Sequence, residues 1–278
     1  MIRKKHLALF FRYAIILLFS ISFLLPFFWM IITSFKDPVK VFSRPINWWV
    51  DSFDFSNYTQ FFTKYDGWHY IWNTVKLAAI NIVGVVVSNA IVAYAIAFLK
   101  FKHKKVIMAL LLITMMMPGT VTFFPQFIIY VKIGWYGTLM PLWVPAFLGN
   151  AYYIFLLRQY YLTIPQPILD AARVAGCGHF RMLWQIIVPM AKPVFIIMIL
   201  NTFVSVWSDL FGPLIYILNE KDRTFPVLLS YMNSSYGNAG TLPSIMAGGV
   251  LSAIPTLLVY FLGQKVMIKA YVFKSGDK

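Results

Sequence analysis

Long runs of residues without charge limit what this chain can fold into more than any other feature of its sequence. Asp, Glu, Lys and Arg are absent from residues 13–35, 77–99, 106–131 and 133–157. A helix needs about 20 apolar residues to cross the hydrocarbon core of a bilayer, and each of these runs is longer. Charged residues make up only 12% of the chain, and an average soluble domain carries about twice that share. The sequence therefore predicts an integral membrane protein.

The apolar segments predict an all-α fold. Six transmembrane helices are expected at approximately 13–34, 70–98, 107–130, 140–158, 194–217 and 244–264. The first helix follows a basic N-terminus, as the apolar part of a signal peptide does, but it is longer and has no small-residue cleavage site. We therefore expect it to remain in the membrane. The Ser- and Gly-containing run 233–240 predicts a flexible outer connector.

The net charge of +15 is explained by membrane topology. With the N-terminus inside, most Lys and Arg residues lie in inner segments, at 3–12, 100–105, 158–192 and 265–278. Most acidic residues lie in the outer loops. An excess of Lys and Arg marks the cytoplasmic side of a membrane protein. Both termini are therefore predicted to be cytoplasmic, and no nucleic-acid partner is expected.

Motifs that carry catalysis are missing from the sequence. There is no Gly-x-x-x-x-Gly-Lys-Ser/Thr phosphate cradle and no Ser/His/Asp or His-Glu-x-x-His arrangement. The histidines His6, His69, His103 and His179 do not have metal-ligand spacing, and the single cysteine, Cys177, excludes an internal disulfide. We expect no catalytic residue, no metal site and no cofactor bound by this chain.

A polar segment at 165–193 interrupts the apolar pattern. Pro165 and Pro167 fit the first turn of a helix, and Asp170 adds a negative charge near the positive helix end. Gly176, or the glycine two residues later, fits the left-handed cap that ends a helix. The segment therefore predicts a short helix and a glycine turn on one face of the membrane.

The same segment predicts two surfaces. Ala171, Ala172 and Ala175 favour a small face that allows close approach by another surface. A second, amphipathic helix is expected from the apolar residues at helical spacing. These residues are Phe180, Leu183, Trp184, Ile187 and Val188. Pro189 and Pro193 then turn the chain into the next span.

This segment resembles a cytoplasmic loop found in the permease subunits of ATP-binding-cassette importers. The family pattern is Glu-Ala-Ala, three residues and Gly, followed by an apolar segment and two prolines. The resemblance implies that the loop docks in a groove of a separate ATP-hydrolysing subunit. The residues it assigns to ATPase coupling are Asp170, Ala171, Ala172, Gly176, Phe180 and Pro189. This chain has Asp170 where the family favours Glu and Ala175 where it favours Asp.

Four other segments are similar to the carbohydrate-uptake branch of that family, in particular to the maltose-type inner-membrane permease. They are Val92–Phe101, Met117–Pro125, Ile154–Gln159 and Trp207–Asp209. The C-terminal stretch 268–276 departs from the family because it lacks a glycine-rich ending. The resemblance extends along the chain from the first helix.

The resemblance implies one permease domain over 1–278, with an N-terminal helix at 13–34, core helices within 70–264 and a coupling loop at 159–193. Such a chain lies in the lipid of a bacterial inner membrane beside a second, homologous permease subunit. Two ATPase subunits bind ATP and Mg, and an extracytoplasmic solute-binding protein delivers a sugar or oligosaccharide. The chain itself is then a transport subunit and not an enzyme.

Two polar stripes are candidates for the substrate path. One lies on the fifth predicted helix and the other on the second, where the residues recur at helical spacing. They are Asn201, Ser205, Ser208 and Gly212, and Asn73, Asn81, Gly84 and Ser88 with Asn89 beside them. Amides and hydroxyls suit an uncharged, hydroxyl-rich cargo, but small and polar residues also pack membrane helices together. The path residues we predict are Asn81, Ser88, Asn201, Ser205, Ser208 and Asp209.

Other functions remain open at this stage. An ion-coupled secondary transporter usually carries acidic or His residues at mid-membrane, whereas here only Lys76 and Asp209 lie in predicted spans, near their outer ends. An importer for a peptide or another polar solute would share every feature described above. A membrane-anchored scaffold or sensor without transport activity is the third class.

Overall fold

The computed structural model describes residues 2–43, 45, 47–236 and 241–272. In these ranges the chain forms helices and turns and contains no strand, so the predicted all-α class is confirmed. The α-helices are α1 (Ile2–Ser34), α2 (Ser56–Thr63), α3 (Gly67–Phe98), α4 (Lys104–Met116), α5 (Gly119–Lys132), α6 (Met140–Trp143), α7 (Ala151–Tyr161), α8 (Gln166–Val174), α9 (His179–Met182), α10 (Val188–Met190), α11 (Lys192–Trp207), α12 (Phe211–Tyr216), α13 (Phe225–Tyr236) and α14 (Leu242–Val272).

Four helical segments are long and apolar enough to cross a membrane. They are Leu9–Ser34, Gly67–Phe98, Met140–Tyr161 and Leu242–Gln264. Two bent pairs of helices bring the number to six if each pair forms one span. The first pair is α4 with α5, bent by 104°, and the second is the helical segment His179–Met190 with α11, bent by 81°. The described chain is therefore a multi-pass helical membrane protein.

The helix predicted at 107–130 is broken in the structure. Helix α4 ends at Met116, and Met117 and Pro118 are extended, with ψ angles of 124° and 134°. A residue before proline is pushed out of the α-helical region by the proline ring. Gly119 then starts α5 in a new direction, so the region predicted as one helix at 107–130 forms two helices bent by 104°.

The helix predicted at 194–217 is also broken. Helix α11 ends at Trp207, and α12 begins at Phe211. Between them the Asp209 carboxylate accepts a hydrogen bond at 3.1 Å from the backbone N–H of Gly212. An Asp that bonds the free N–H groups of a following helix favours a new start over a continuous helix.

The outer connector predicted at 233–240 is helical as far as it is described. Helix α13 continues to Tyr236, and residues 237–240 lie outside the described residues. The predicted C-terminal departure at 268–276 lies partly outside them as well, because the description ends at residue 272.

The chain divides into two compact units, residues 1–69 with 228–255, and residues 70–227 with 256–278. In the first unit, the Asn57 amide donates hydrogen bonds of 3.0 Å to the carbonyls of Ser34 and Lys36. These carbonyls lie at the end of α1, where a helix has no partner of its own for them. Asn57 therefore joins α2 to the end of α1.

The core of the second unit forms around α3, α7 and the polar segment. Leu157, Leu169, Ile187 and Met198 are among its fully buried members. Each such side chain stabilises the fold by about 1.5–3 kcal/mol relative to exposure. The polar segment at 165–193 is therefore anchored in the core by its apolar side.

Candidate functional site

Helix α8 presents one face to the core and the other to solvent. Leu169 is fully buried and Ala172 is 8% exposed, whereas Asp170, Ala171 and Val174 are exposed, Val174 to 90%. Successive residues of a helix are turned by about 100°, and here that turn directs Ala171 outward and Ala172 inward. The prediction of one shared alanine face was therefore wrong, because Ala172 packs inward.

Asp170 lies beyond the first turn of α8. Its carboxylate accepts hydrogen bonds from Arg173 at 2.7 Å and from the Gln166 amide at 3.1 Å. Pro165 precedes the helix without a side-chain cap. The prediction that Asp170 complements the positive helix end was therefore not met; its charge is shared with two neighbours on the exposed surface.

The glycine turn after α8 has the hydrogen bonds of a Schellman motif. Gly176 has φ +74°, its N–H donates to the Arg173 carbonyl at 2.9 Å, and the Cys177 N–H donates to the Ala172 carbonyl at 3.0 Å. This pair of bonds satisfies carbonyls at a helix end and requires a left-handed residue. The predicted cap at Gly176 is confirmed.

The second helix of the segment contains a π-helical turn. Residues Leu183–Ile187 are π-helical between α9 and α10. Pro189 has no N–H for the bond to the carbonyl of residue 185, and its ring clashes with that carbonyl in an α-helix. The π turn just before Pro189 removes this conflict, and such turns occur often at functional sites.

The two helices together present an exposed platform, which we define as residues 166–190. Phe180 is 75% exposed and contacts Trp184 edge to face, with ring centroids 6.2 Å apart. Met182, Leu183 and Ile187 are buried on the opposite side. Exposed apolar side chains on a platform fixed to the core are typical of a protein-docking surface. Asp170, Ala171, Gly176, Phe180 and Pro189 are all exposed, and Ala172 supports them from below.

A hydrogen bond connects this platform to the helix that crosses the second unit. The Tyr94 hydroxyl on α3 lies 2.8 Å from Nδ1 of His179 at the start of α9, and 3.6 Å from the Met182 sulfur. This contact was not predicted, because the two residues are far apart in the chain and no local sequence signal marks their approach.

The polar residues of α3 bond to other parts of the protein. The Ser88 hydroxyl donates to the backbone carbonyl of Ala146 at 3.0 Å. The side-chain oxygen of Asn89, Oδ1, accepts from the backbone N–H of Asn150 at 2.8 Å. Asn150 in turn caps α7 by accepting from the backbone N–H groups of Tyr152 and Tyr153. These bonds satisfy backbone groups left free where the span Met140–Tyr161 is irregular.

The other residues of the α3 stripe also have contacts within the protein, and that of Asn81 lies within α3 itself. The Asn81 amide donates to the Leu77 carbonyl at 2.9 Å, and the Asn73 amide donates to the carbonyls of Lys221 and Arg223. A Cβ at Gly84 would lie only 2.7 Å from the Phe147 ring. On α3, these contacts therefore favour a role in helix packing over a role in binding the cargo.

The α11 stripe differs from the α3 stripe in exposure. Asn201, Ser205 and Ser208 are all exposed, and they lie on one side of the helix. Asp209 follows them, and its carboxylate accepts a hydrogen bond from the Gly212 N–H in the first turn of α12. The structure therefore separates the predicted path residues into an exposed set on α11 and a hydrogen-bonded set, Asn81 and Ser88, on α3. Among the described residues, no three His, Cys, Asp or Glu side chains come together in a way that would hold a metal ion.

The fold is that of a multi-pass helical membrane protein, and the platform 166–190 is exposed on one side and anchored in the core on the other. Residues 89–269 match the family described as binding-protein-dependent transport system inner membrane component. This match covers more than half of the chain, which therefore belongs to that family of membrane transport components.

Curated relatives match the chain over most of its length. It is 29% identical over 270 residues to the arabinooligosaccharides transport system permease protein AraQ of Bacillus subtilis (strain 168), covering 93% of each chain. It is 25% identical over 259 residues to the lactose transport system permease protein LacG of Rhizobium radiobacter, again with 93% of each covered. The sn-glycerol-3-phosphate transport system permease protein UgpE of Yersinia enterocolitica is 27% identical over 202 residues, 73% of this chain and 72% of UgpE.

Solved structures share the fold. A chain of a bacterial ABC transporter involved in the import of the acidic polysaccharide alginate matches with a TM-score of 0.83 and 21% identity, covering 95% of this chain and 97% of that one. The alginate transporter in complex with an alginate pentasaccharide-bound periplasmic protein matches with a TM-score of 0.63 and 12% identity, covering 93% and 94%.

Proposed function

We propose that this chain is a permease subunit of an ATP-binding-cassette importer that moves a sugar or oligosaccharide into the cytoplasm. The observation that carries the proposal is the exposed platform 166–190, anchored in the core of a chain that belongs to a binding-protein-dependent transport family. The names of AraQ and LacG support a sugar as cargo. ATP and Mg are bound by two ATPase subunits, a second permease subunit completes the membrane path, and a solute-binding protein delivers the cargo.

The platform suits coupling because of how it is held. Val174 and Phe180 project outward, and Leu169 and Ile187 are fully buried beneath them. A partner that pushes on the exposed side therefore moves buried groups in the same rigid body, and interfaces of this kind respond by discrete shifts. In this proposal both termini and the platform lie on the cytoplasmic side, where the ATPase subunits bind.

The cargo path is assigned to the exposed α11 stripe. Asn201, Ser205 and Ser208 offer an amide and two hydroxyls on a helix that contains no Asp, Glu, Lys or Arg after Lys192. Such groups pair with sugar hydroxyls without a buried counter-charge, which a charged cargo needs. Ser88 supports the path by holding the backbone carbonyl of Ala146 in place, while Asn81 bonds to the Leu77 carbonyl within α3.

The test is uptake by the purified complex in proteoliposomes. Radiolabelled arabino-oligosaccharide or lactose is supplied with the binding protein on one side, and Mg-ATP on the other. We expect uptake with ATP and none with an ion gradient alone. Uptake driven by an ion gradient without ATP would contradict the importer proposal and would support an ion-coupled transporter. ATP-driven uptake of glycerol 3-phosphate in preference to either sugar would keep the importer and overturn the cargo.

A further inference from the structure

Four lysines surround an open pocket between α3 and α4. The pocket has a volume of about 490 Å³ and is lined by Leu99, Lys100, Phe101, Lys102, Lys104 and Lys105. Lys104 also donates a hydrogen bond of 3.0 Å from Nζ to the Ala97 carbonyl, one of the last carbonyls of α3. That bond fixes the end of α3 to the start of α4 and shapes the turn that forms the pocket.

Among the described residues, no carboxylate forms an ion pair with a lysine of this pocket. The sequence contains no Asp or Glu between Asp66 and Asp170. Within the described part of the chain, the ion pairs are Lys40 with Asp51, Arg173 with Asp170, and Arg223 with Glu220, and none involves a pocket lysine. Ammonium groups held together without a counter-ion repel one another, so a bound anion lowers the energy of this arrangement.

A fifth cation lies beside the pocket. The guanidinium of Arg158 on α7 is close enough to repel the Lys104 ammonium electrostatically. Its Nε is a buried donor without a hydrogen-bond partner among the described residues. A buried donor left without an acceptor costs about 1–3 kcal/mol. Arg158 therefore adds to the excess of positive charge at this end of α3 and α4.

The surface next to the lysines is apolar. On α4, the side chains that follow Lys105 include exposed Val106, Ile107, Leu110 and Ile113. A soluble phosphate or nucleotide has no group to cover this surface, whereas the acyl chains of a lipid do. Clusters of basic residues at the end of a membrane helix bind anionic lipid head groups. The combination of a cationic pocket and an adjoining apolar helix therefore selects a phospholipid.

We infer that the pocket at 99–105 binds the phosphate group of an anionic phospholipid, whose acyl chains lie along the exposed face of α4. Lys100, Lys102 and Lys105 supply the charge, and Lys104 keeps the turn in shape. The lining of this site shares no residue with the platform 166–190 or with the α11 stripe. In the proposed topology it lies on the cytoplasmic side.

The experiment compares lipid binding by the full chain, purified with its co-purifying subunits, and by two charge variants. The site variant is Lys100→Gln, Lys102→Gln and Lys105→Gln, which leaves Lys104 and its bond to α3 intact. The control variant is Lys64→Gln and Lys132→Gln, which removes exposed lysines outside the pocket. A C-terminal reporter fusion checks that all three proteins insert with the same orientation.

Binding is measured with vesicles of phosphatidylcholine alone and of phosphatidylcholine mixed in equal parts with phosphatidylglycerol, and by mass spectrometry of the lipid retained after purification. We expect the unmodified chain to be enriched in phosphatidylglycerol. Each lysine removed from the pocket should lower the association constant by about fivefold, and the control variant should bind as the unmodified chain does. The proposed site would be contradicted if the site variant retained as much phosphatidylglycerol as the unmodified chain. It would also be contradicted if the control variant lost as much lipid binding as the site variant. If inorganic phosphate at physiological concentration displaced the lipid, the pocket would be a site for a soluble anion, and the proposal of a phospholipid ligand would be wrong.

Discussion

The Tyr94 hydroxyl on α3 lies 2.8 Å from Nδ1 of His179 at the start of α9. Tyr94 is buried, while His179 is exposed at the edge of the platform 166–190. This hydrogen bond therefore joins the surface on which an ATPase subunit is proposed to act to a helix that continues into the membrane. We predict that a movement of α9 is transmitted to α3 through this bond.

Tyr94→Phe removes this bond and keeps the ring in place. We expect a loss of about 1 kcal/mol in the free energy of unfolding, because His179 can bond to water instead. We also expect the number of sugar molecules transported per ATP hydrolysed to fall. Tyr152→Phe is the matched control, since Tyr152 is exposed and lies outside the platform. Unchanged coupling in Tyr94→Phe, with normal abundance of the complex, would contradict the transmission role.

Gly176 and Gly178 provide a paired test of the platform turn. Neither glycine has an atom within 4 Å of the position that a Cβ would occupy, but only Gly176 has a positive φ, +74°. Gly176→Leu should therefore cost about 1–2 kcal/mol through backbone strain alone. We expect normal membrane insertion and a strong loss of uptake per ATP hydrolysed.

Gly178→Leu is the control for that experiment. Gly178 has φ −68°, which any residue adopts. The variant should fold like the unmodified chain and retain more coupling than Gly176→Leu. If both variants transport normally at normal abundance, the platform is not the coupling surface.

Asn89 and Asn201 distinguish a packing amide from a cargo-binding amide. Asn89→Ala leaves the Asn150 N–H without its acceptor, and the lost bond should cost about 1–3 kcal/mol. We expect a lower Tm in Asn89→Ala. Asn201→Ala should lower the Tm less than Asn89→Ala does and raise the KM for the sugar, because Asn201 is exposed on α11 and its partner within the protein is the Tyr153 side chain. A thermal melt and an uptake titration measure both. The opposite pattern, with a lower Tm in Asn201→Ala and a raised KM in Asn89→Ala, would exchange the two assignments.

The Lys40–Asp51 ion pair predicts a pH effect in the segment between α1 and α2. Nζ of Lys40 lies 2.6 Å from Oδ2 of Asp51. The Lys40 ammonium, by its hydrogen bond and then by its charge, lowers the pKa of Asp51 below the usual value. A carboxylate with a lowered pKa contributes stability above its unfolded pKa of about 4. That contribution is lost as the pH falls through the folded pKa.

We therefore expect faster amide hydrogen exchange around Lys40 and Asp51 below about pH 4, after correction for intrinsic rates. Asp51→Asn should show the same change already at neutral pH. The effect should be small and should shrink in high salt, because the pair is exposed. Lys64→Gln, on a lysine outside the pair, is expected to leave this exchange unchanged. Identical exchange in Asp51→Asn and the unmodified chain would contradict the prediction.

The parts of the fold that local sequence determines were predicted well. Uncharged runs longer than a bilayer requires predicted the membrane class, and the glycine cap at Gly176 follows from the steric freedom of one residue. The break at Met117 and Pro118 was missed although its cause is also local. The helix there was predicted from hydropathy alone, which does not show that Pro118 interrupts it. The Asn150 cap of α7 was missed in the same way, because the apolar run was treated as one helix.

The contacts that decide the role of each polar residue depend on the tertiary structure. Asn81, Ser88, Asn201 and Ser205 look alike in sequence, as small or polar residues at helical spacing. Only packing shows that the first two bond to backbone carbonyls while the last two are exposed. Helical periodicity defines a face, but it does not determine what that face contacts.

The sequence by itself determined that this chain is a helical membrane protein, because uncharged segments of that length are stable only in a bilayer. It also determined the glycine turn of the platform, since the backbone angle there suits a residue without a Cβ. The tertiary structure alone decided which alanine faces the core, that Tyr94 meets His179, and that four lysines line one pocket. These contacts depend on how different segments of the chain pack against each other in space, and the spacing of residues in the sequence does not determine that packing.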